Sequence, residues 1–494
     1  MARPKSQPAT VTDAPGPMPA TSDRALRRFL ALGIILAVWI AYATSFSGTF
    51  VFDDENQILF NPDVTEHPIP ELLASSTRPV VDLTLAMDYR LGGGADLESP
   101  DDFPNPVPFH VTNLVIHSLA ALTLFGLIAR TLELPRFAER ISRRRGLLVA
   151  ASVACLWAVH PLTTQAVTYI VQRAESLMGL FYLYMLYGLL RAATSGGAKS
   201  ALWSVACVGA CALGMGSKAV MLTAPLAALA YDHTFLARSA LDALKQRWSL
   251  YVGLACTWSI LSAVGIVRGV FDPHPNADPT VGFTVESVTP IEYFLTQPQV
   301  ILHYLGLALF PVGLTLDYNW PVAEDPAVIA VTTLLLGALG VYTIRHLIMR
   351  TWIGFAGAFF FLVLATTSSF IPISDIAFEH RMYLPLIPVL LLASVGIWKV
   401  LARLTPSPAR VAPLLFVAAA VAYGSLTAAR NLDYESGLSG RTRMRKRRPT
   451  RVPPRTTPRC SRGSRATRRR SRSSSARSGS RPRIRTCTRS TPAR

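Results

Sequence analysis

A polytopic, all-α membrane protein is the fold class that this sequence predicts, and three observations predict it. Half of the 494 residues are hydrophobic and only 16% are charged, against about a quarter in soluble domains. Twelve apolar windows recur, at 28–47, 109–132, 146–160, 175–193, 202–215, 217–232, 249–268, 294–311, 327–345, 351–371, 383–401 and 411–429, and roughly 20 apolar residues cross a bilayer. Basic residues gather in alternate connections between the windows, as they do in cytoplasmic loops.

Residues 1–25, rich in Pro, Ala and Thr, are expected to be disordered and cytoplasmic. The run from Phe29 to Phe46 has no small-residue cleavage site and is followed by further spans, so it reads as an anchor rather than a signal peptide. Arg24, Arg27 and Arg28 precede the first window, Arg136 to Arg145 separate the second and third, and Arg238, Lys245 and Arg247 follow the sixth. Arg345, His346 and Arg350 separate the ninth and tenth, and Lys399, Arg403 and Arg410 the last two. All five groups share one side only if the 294–311 window does not cross. That window is broken by Pro298 and carries Gln297, Gln299 and His303, which suits an interfacial or re-entrant helix. The expectation is eleven crossings in the plasma membrane (the inner membrane of a bacterium), with the N-terminus cytoplasmic and the C-terminus outside.

The formal charge is +19, but residues 441–494 hold 20 Arg and one Lys and no acid, which leaves 28 of the 49 basic residues against all 30 acidic ones. The basicity belongs to the tail, and no nucleic-acid partner is expected. Cys155, Cys207, Cys211 and Cys256 lie in apolar segments and Cys460 and Cys487 in the tail, without a disulfide framework or a CxxC pattern. Cys207 and Cys211 are one helical turn apart with no His or carboxylate nearby, so helix packing is favoured over a metal pair.

The topology sorts the unusual polar residues onto the outer face. "GTFVFDDENQI", Gly48 to Ile58, places Asp53, Asp54 and Glu55 just beyond the first span; "STRPVVDLTLAMDYR", "PFHVTNLVIH", "HPLTTQAVTYIVQRAES", "GMGSK" and "SDIAFEHRMYLP" follow. In a dry site one of Asp53 and Asp54 would serve as general base for an incoming hydroxyl, with the other orienting it or helping to hold a divalent metal ion. The competing reading is a solvated boundary that keeps the span from slipping inward. Arg78, Arg173, Lys218, His380 and Arg381 are the cationic complement, suited to a lipid phosphate, although each alone is equally an interfacial snorkel or an ion-pair partner. His110 and His117, seven apart, share a helical face; His110 is placed with the phosphate ligands, and the deeper His117 reads as a core histidine. His160 before Pro161 caps or orients, and Glu55, Glu175 and Glu379 are supporting groups. Tyr182, Tyr184, Met185 and Tyr187 are assigned to packing.

Together, "FVFDDENQI", "RPVVDLTLAMDY", "FHVTNLVIH", "AVHPLTTQAVTYIVQRAESL", "FPVGLTLDYNWP" and "EHRMYLPLIPVLL" resemble the membrane half of the transmembrane and tetratricopeptide-repeat O-mannosyltransferases and their bacterial relatives, over about residues 28–438. The resemblance implies a glycosyltransferase of the GT-C fold that moves a sugar, mannose by its relatives, from a polyprenyl or dolichyl phosphate to Ser or Thr hydroxyls of a protein. It also implies an acidic catalytic base in the first outer loop, the place of Asp53 and Asp54, and an inverting single displacement. Asp317 and Tyr318 of "LDYNWP" would line an acceptor groove. Two other classes compete: a transporter or lipid flippase, for which neither paired broken helices nor internal repeats are evident, and a non-catalytic scaffold. Besides the sugar-lipid, the partners implied are a protein acceptor and membrane lipid; no cofactor is assigned, and a divalent metal ion at Asp53 and Asp54 is the one candidate.

The domain reading is a transferase domain at 26–430 with its first outer loop at 48–108, the opening of a repeat region at 431–440, and an Arg-, Ser- and Pro-rich disordered tail at 441–494. Relatives carry tetratricopeptide repeats after the last span, and "ARNLDYESGLS", Ala429 to Ser439, resembles their opening; the tail has no 34-residue period and no aromatic residue. It is either a natural basic tail or the product of a shifted frame. Joining each codon's third base to the next codon's first two, from Ser439 and Gly440 onward, permits a Trp-x-Asp and a Pro-Asp-x-Arg-Ala pattern like the family's repeats. Sequencing the gene across codon 440 is expected to reveal a dropped base, and a clean reproducible frame there would establish the tail as natural.

Overall fold

The structure is a computed structural model that describes residues 20–94, 103–265, 270–271, 281–283, 285 and 287–435. Among the described residues no strand forms, and a single isolated bridge pairs Val281 with Ile373. Helix α1, Ala20–Ala41, starts inside the segment expected to be disordered. Asp23 stands in its first turn, where negative charge complements the helix dipole, and Ile34, Val38 and Ala41 form its buried stripe. Residues 1–19 and the Arg-rich tail lie outside the described residues.

A 3₁₀ turn, Ala43–Ser47, ends the first span at Gly48. Helix α2, Pro79–Leu91, opens on proline, whose missing N–H costs nothing there. Then come α3, Val107–Leu132, and α4, Arg143–Ala158. At His160-Pro161 the chain turns 54° from α4 into Pro161–Val167, as the residue before proline avoids helical geometry. The remaining long helices are α5, Arg173–Thr194; α6, Gly197–Met215; α7, Ala224–Phe235; α8, Trp248–Ala263; α9, Pro290–Leu309; α10, Pro326–Ile348; α11, Trp352–Leu364; α12, Leu386–Leu404; and α13, Pro408–Asn431.

Among the described residues seven helices are long and apolar enough to cross a membrane, or nine when the bent pairs at α4 and α7 each count as one span; α8 and α11 are shorter apolar helices. Together these are the eleven windows expected to cross. Helix α9 is not among them; it is held by a Thr289/Glu292 capping box and contains Pro298, in keeping with the segment read as non-crossing. The protein is therefore a multi-pass, all-helical membrane protein.

The core sits among α1, α3, α4, α5 and α12, around Trp157, which is fully buried. Its polar atoms are satisfied, as a dry interior requires: the Trp157 indole donates to the Tyr383 carbonyl at 2.6 Å, and His117 bridges the Tyr383 hydroxyl and the Ala158 carbonyl, both at 2.8 Å. His117 is thus the core histidine that its depth suggested.

The packed unit runs on through Glu435. Asn431 donates to the Ala41 carbonyl and accepts from Thr168, Thr49 N–H donates to the Tyr434 carbonyl, and Ser47 donates to Glu435. Residues 431–435, read from sequence as the start of a repeat region, are therefore built onto the first loop. Tyr434 is 1% exposed and its hydroxyl has no hydrogen-bond partner among the described residues, so Tyr434→Phe is expected to leave the unfolding free energy in detergent within about 0.5 kcal/mol of wild type. Tyr434→Ala should cost about 3–5 kcal/mol.

Candidate active site

Phe52 takes a left-handed backbone, φ 52°, uncommon for a residue with a side chain, and the turn sends the next two carboxylates in opposite directions. Asp54 is fully buried, and its two oxygens accept the N–H groups of Val51 at 3.0 Å and Val171 at 2.8 Å. Burial pushes its carboxyl up to about 8, against the downward pull of these two donors. Asp53 is exposed; its backbone N–H donates to the Tyr169 hydroxyl at 2.9 Å. Val51, Tyr169, Val171 and Tyr434 form the apolar cluster beneath the turn. Glu55 is exposed and opens the next helical turn, Glu55–Leu59. Two acids indistinguishable in sequence thus have separate environments: Asp54 fastens the loop and Asp53 is presented by it.

The cations divide in the same way. Arg173 is wholly buried against Asp88 at 2.5 Å and also donates to Asn113, Thr84 and the Phe109 carbonyl. Its charge and donors are committed to α2 and α3. His110 also belongs to the first loop: its Nε2 donates to the Gly48 carbonyl at 3.3 Å. Gly48 is required there, since a Cβ would lie 3.1 Å from that nitrogen.

Arg78, Lys218, His380 and Arg381 form a second group. The Val80 N–H donates to the Gly216 carbonyl at 3.2 Å, which docks the start of α2 on the "GMGSK" turn and brings Arg78 toward Lys218. Lys218 pairs with Glu175 at 2.5 Å. His380 donates from its backbone and from Nδ1 to Gln165 Oε1. Burial, and then the charges of Lys218, Arg381 and Arg78, hold its imidazole well below the ordinary value. Arg381 donates to the Tyr293 hydroxyl and to the Thr367, Ile376 and Asp375 carbonyls. The half-buried Arg78 guanidinium makes no hydrogen bond or ion pair among the described residues.

Asp375 feels the charges of both Asp53 and Arg381. Its carboxyl is raised by burial and by Asp317, lowered by Arg381 and raised again by Asp53. The exposed Asp53 carboxylate therefore acts on the loop that carries His380 and Arg381. Glu379 lies behind, fully buried, accepting from Thr315 N–H, Tyr318 and Arg430. Tyr318 is thus tied to Glu379, while Asp317 stays exposed and accepts from Asn319 N–H. His160 caps the turn after α4, accepting from Leu162 N–H and donating to the Ala308 carbonyl. Sequence reasoning missed Asp88, Gln165 and Tyr169. Asp88 carried a signal, an acid inside an apolar helical stretch, which needs a buried partner.

The donor set does not fit a metal ion. Both Asp54 oxygens face backbone N–H groups, and no set of three or more His, Cys, Asp or Glu gathers for coordination among the described residues.

The described residues define a multi-pass helical membrane protein with acidic and basic side chains gathered in the loops at one end of its bundle. The chain is a relative of the protein O-mannosyl-transferases: it is 32% identical to human protein O-mannosyl-transferase TMTC4 over 170 residues, 31% of this chain and 22% of that protein. It is 28% identical to human TMTC1 over 333 residues, 58% and 35% of the two chains, and 30% identical to Drosophila melanogaster Tmtc1 over 166 residues, 31% and 17%. The chain thus spans about a fifth of the length of the first of these. No family model matches. Among solved structures, ArnT from Cupriavidus metallidurans bound to undecaprenyl phosphate aligns with a TM-score of 0.40 and 15% identity, over 85% of this chain and 77% of that one, a likeness too loose to bear on the chemistry.

The Asp54 carboxyl, higher in the folded state than its usual ~3.9, contributes stability that is complete below about pH 4 and is lost as pH rises through about 8. Wild type is therefore expected to lose unfolding midpoint over that interval relative to Asp54→Asn. Equal slopes for the two proteins would remove Asp54 as the titrating group.

Proposed function

We propose that this chain is a membrane glycosyltransferase that moves a sugar, mannose by analogy with its named relatives, from a polyprenyl-phosphate donor to a Ser or Thr hydroxyl of a protein acceptor. The observation that carries the reading is the exposed Asp53 carboxylate acting on Asp375, in the loop whose His380 feels the charges of Lys218, Arg381 and Arg78. Asp53 takes the hydroxyl proton while the acceptor oxygen attacks the anomeric carbon. The bond from that carbon to the phosphate oxygen breaks with inversion, and the electron pair leaves on the lipid phosphate, where Arg78 and Lys218 hold the charge beside the neutral His380. Arg173, His110, Glu175 and Glu379 act as positioning groups, and Arg381 carries the "SDIAFEHRM" loop. The distribution of basic loops supports an extracytoplasmic position for this end of the bundle.

Membranes holding wild type, Asp53→Asn, Asp54→Asn or Arg78→Ala at equal expression are to be compared for transfer of radiolabelled mannose from polyprenyl-phosphate-mannose. Asp53→Asn should lower transfer about 100-fold or more. Arg78→Ala should raise the donor KM about ten-fold with less effect on kcat, and Asp54→Asn should act mainly through reduced yield. Transfer that survives Asp53→Asn at the wild-type rate would overturn the assignment of the base and favour a scaffold.

A further inference from the structure

At the other end of the bundle α7, α10 and α11 enclose an open cleft of about 530 Å³. Helix α3 measures the separation: it starts beside Gly48 at His110 and runs 26 residues, about 39 Å, toward Arg136. Leu229, Ile344 and Phe361 line the cleft, and the short side chains of Ala230, Gly340 and Ala365 keep it open. Water entering it would meet polar atoms only from Thr343 and His233, too few to hold it well. Helix α10 is almost wholly exposed, so in a bilayer the cleft faces acyl chains.

The rim has the opposite character. Arg136 donates to the carbonyls of Thr234 at 2.6 Å and Arg350 at 2.5 Å, and Arg350 donates to those of His233 at 2.8 Å and Ala237. Neither guanidinium has a carboxylate partner among the described residues, and the charges of Arg350 and Arg140 act on Arg136. His233, in the cleft wall, donates from Nε2 to the Leu347 carbonyl, and its buried Nδ1 has no partner among the described residues. Two like charges side by side over an apolar slot call for an anion attached to a hydrocarbon chain.

We propose that this cleft and rim bind an anionic glycerophospholipid, with one acyl chain between α7, α10 and α11 and the phosphate against Arg136 and Arg350. The site is independent of the sugar-transfer reading. The test uses the purified full chain in detergent, titrated with dioleoyl phosphatidylglycerol or dioleoyl phosphatidylcholine, with retained lipid read by native mass spectrometry. Phosphatidylglycerol should be retained at least ten-fold more tightly; Arg136→Gln should weaken it about five-fold while leaving phosphatidylcholine unchanged, and Ala230→Trp should fill the cleft and abolish retention. Equal retention of the two lipids, or a preference that survives Arg136→Gln, overturns the proposal, and Arg136→Gln decides alone if Ala230→Trp does not fold. Retention of decaprenyl phosphate in place of phosphatidylglycerol would assign the cleft to a prenyl chain and overturn it equally.

Discussion

The candidate site depends on one carboxyl group that has no access to water. Asp54 spends both oxygens on backbone N–H groups, one three residues behind it and one at Val171, so the loop leaving the first span is stitched to the segment that follows the bend after α4. Val171 lies two residues before Arg173, and this short step places a buried guanidinium on the same support. Arg173 then gathers α2 through Asp88 and Thr84 and α3 through Asn113 and Phe109. Breaking a buried pair strands the remaining charge at about 3–5 kcal/mol, so these elements hold one arrangement.

Compensation distinguishes struts from ligands among the cations. Arg173 meets Asp88, and Arg430 meets both Glu379 and Asp433; these charges are satisfied within the fold. Lys218 has Glu175 but remains partly exposed, Arg78 has no pair among the described residues, and His380 is kept neutral by burial and by its cationic neighbours. A site for a phosphate monoester or diester needs cations of the second sort, because a guanidinium already neutralised and desolvated offers an incoming anion little. Of the six phosphate ligands that sequence proposed, Arg78 and Lys218 keep such a charge available, which favours these two in the proposed site.

The spans, the non-crossing α9 and the collection of polar motifs at one end were legible in the sequence, because each rests on composition over some 20 residues or on motif order. The roles of Asp53 and Asp54 were not, because they turn on the left-handed backbone of Phe52, a residue type that gives no local warning of it. The pairing of Arg173 with Asp88 joins residues 85 positions apart, and nothing in either stretch names the other. His160 and His117 were legible as a cap and a core group, since one precedes a proline and the other lies two turns deeper than its neighbour. The place of Tyr434 escaped because its surroundings resemble a repeat opening, while its packing partners, Val51, Tyr169 and Val171, come from two distant segments.

That last contact bears on how the site is held. The last span ends by returning to the first loop: Asn431 reaches Ala41 and Thr168, Tyr434 takes the Thr49 N–H, and the Tyr434 ring lies 6.3 Å from that of Tyr169. Tyr169 in turn accepts the N–H of Asp53. The exposed carboxylate is thus two contacts away from the backbone that leaves the bundle at Glu435. Thr49 and Asp53 belong to one short loop, fastened by Asp54, Tyr169 and Tyr434 and also by His110 at Gly48 and by Phe50 against Phe109. Anchoring at Asp54 and the connection at Tyr434 thus act together on the turn that presents Asp53.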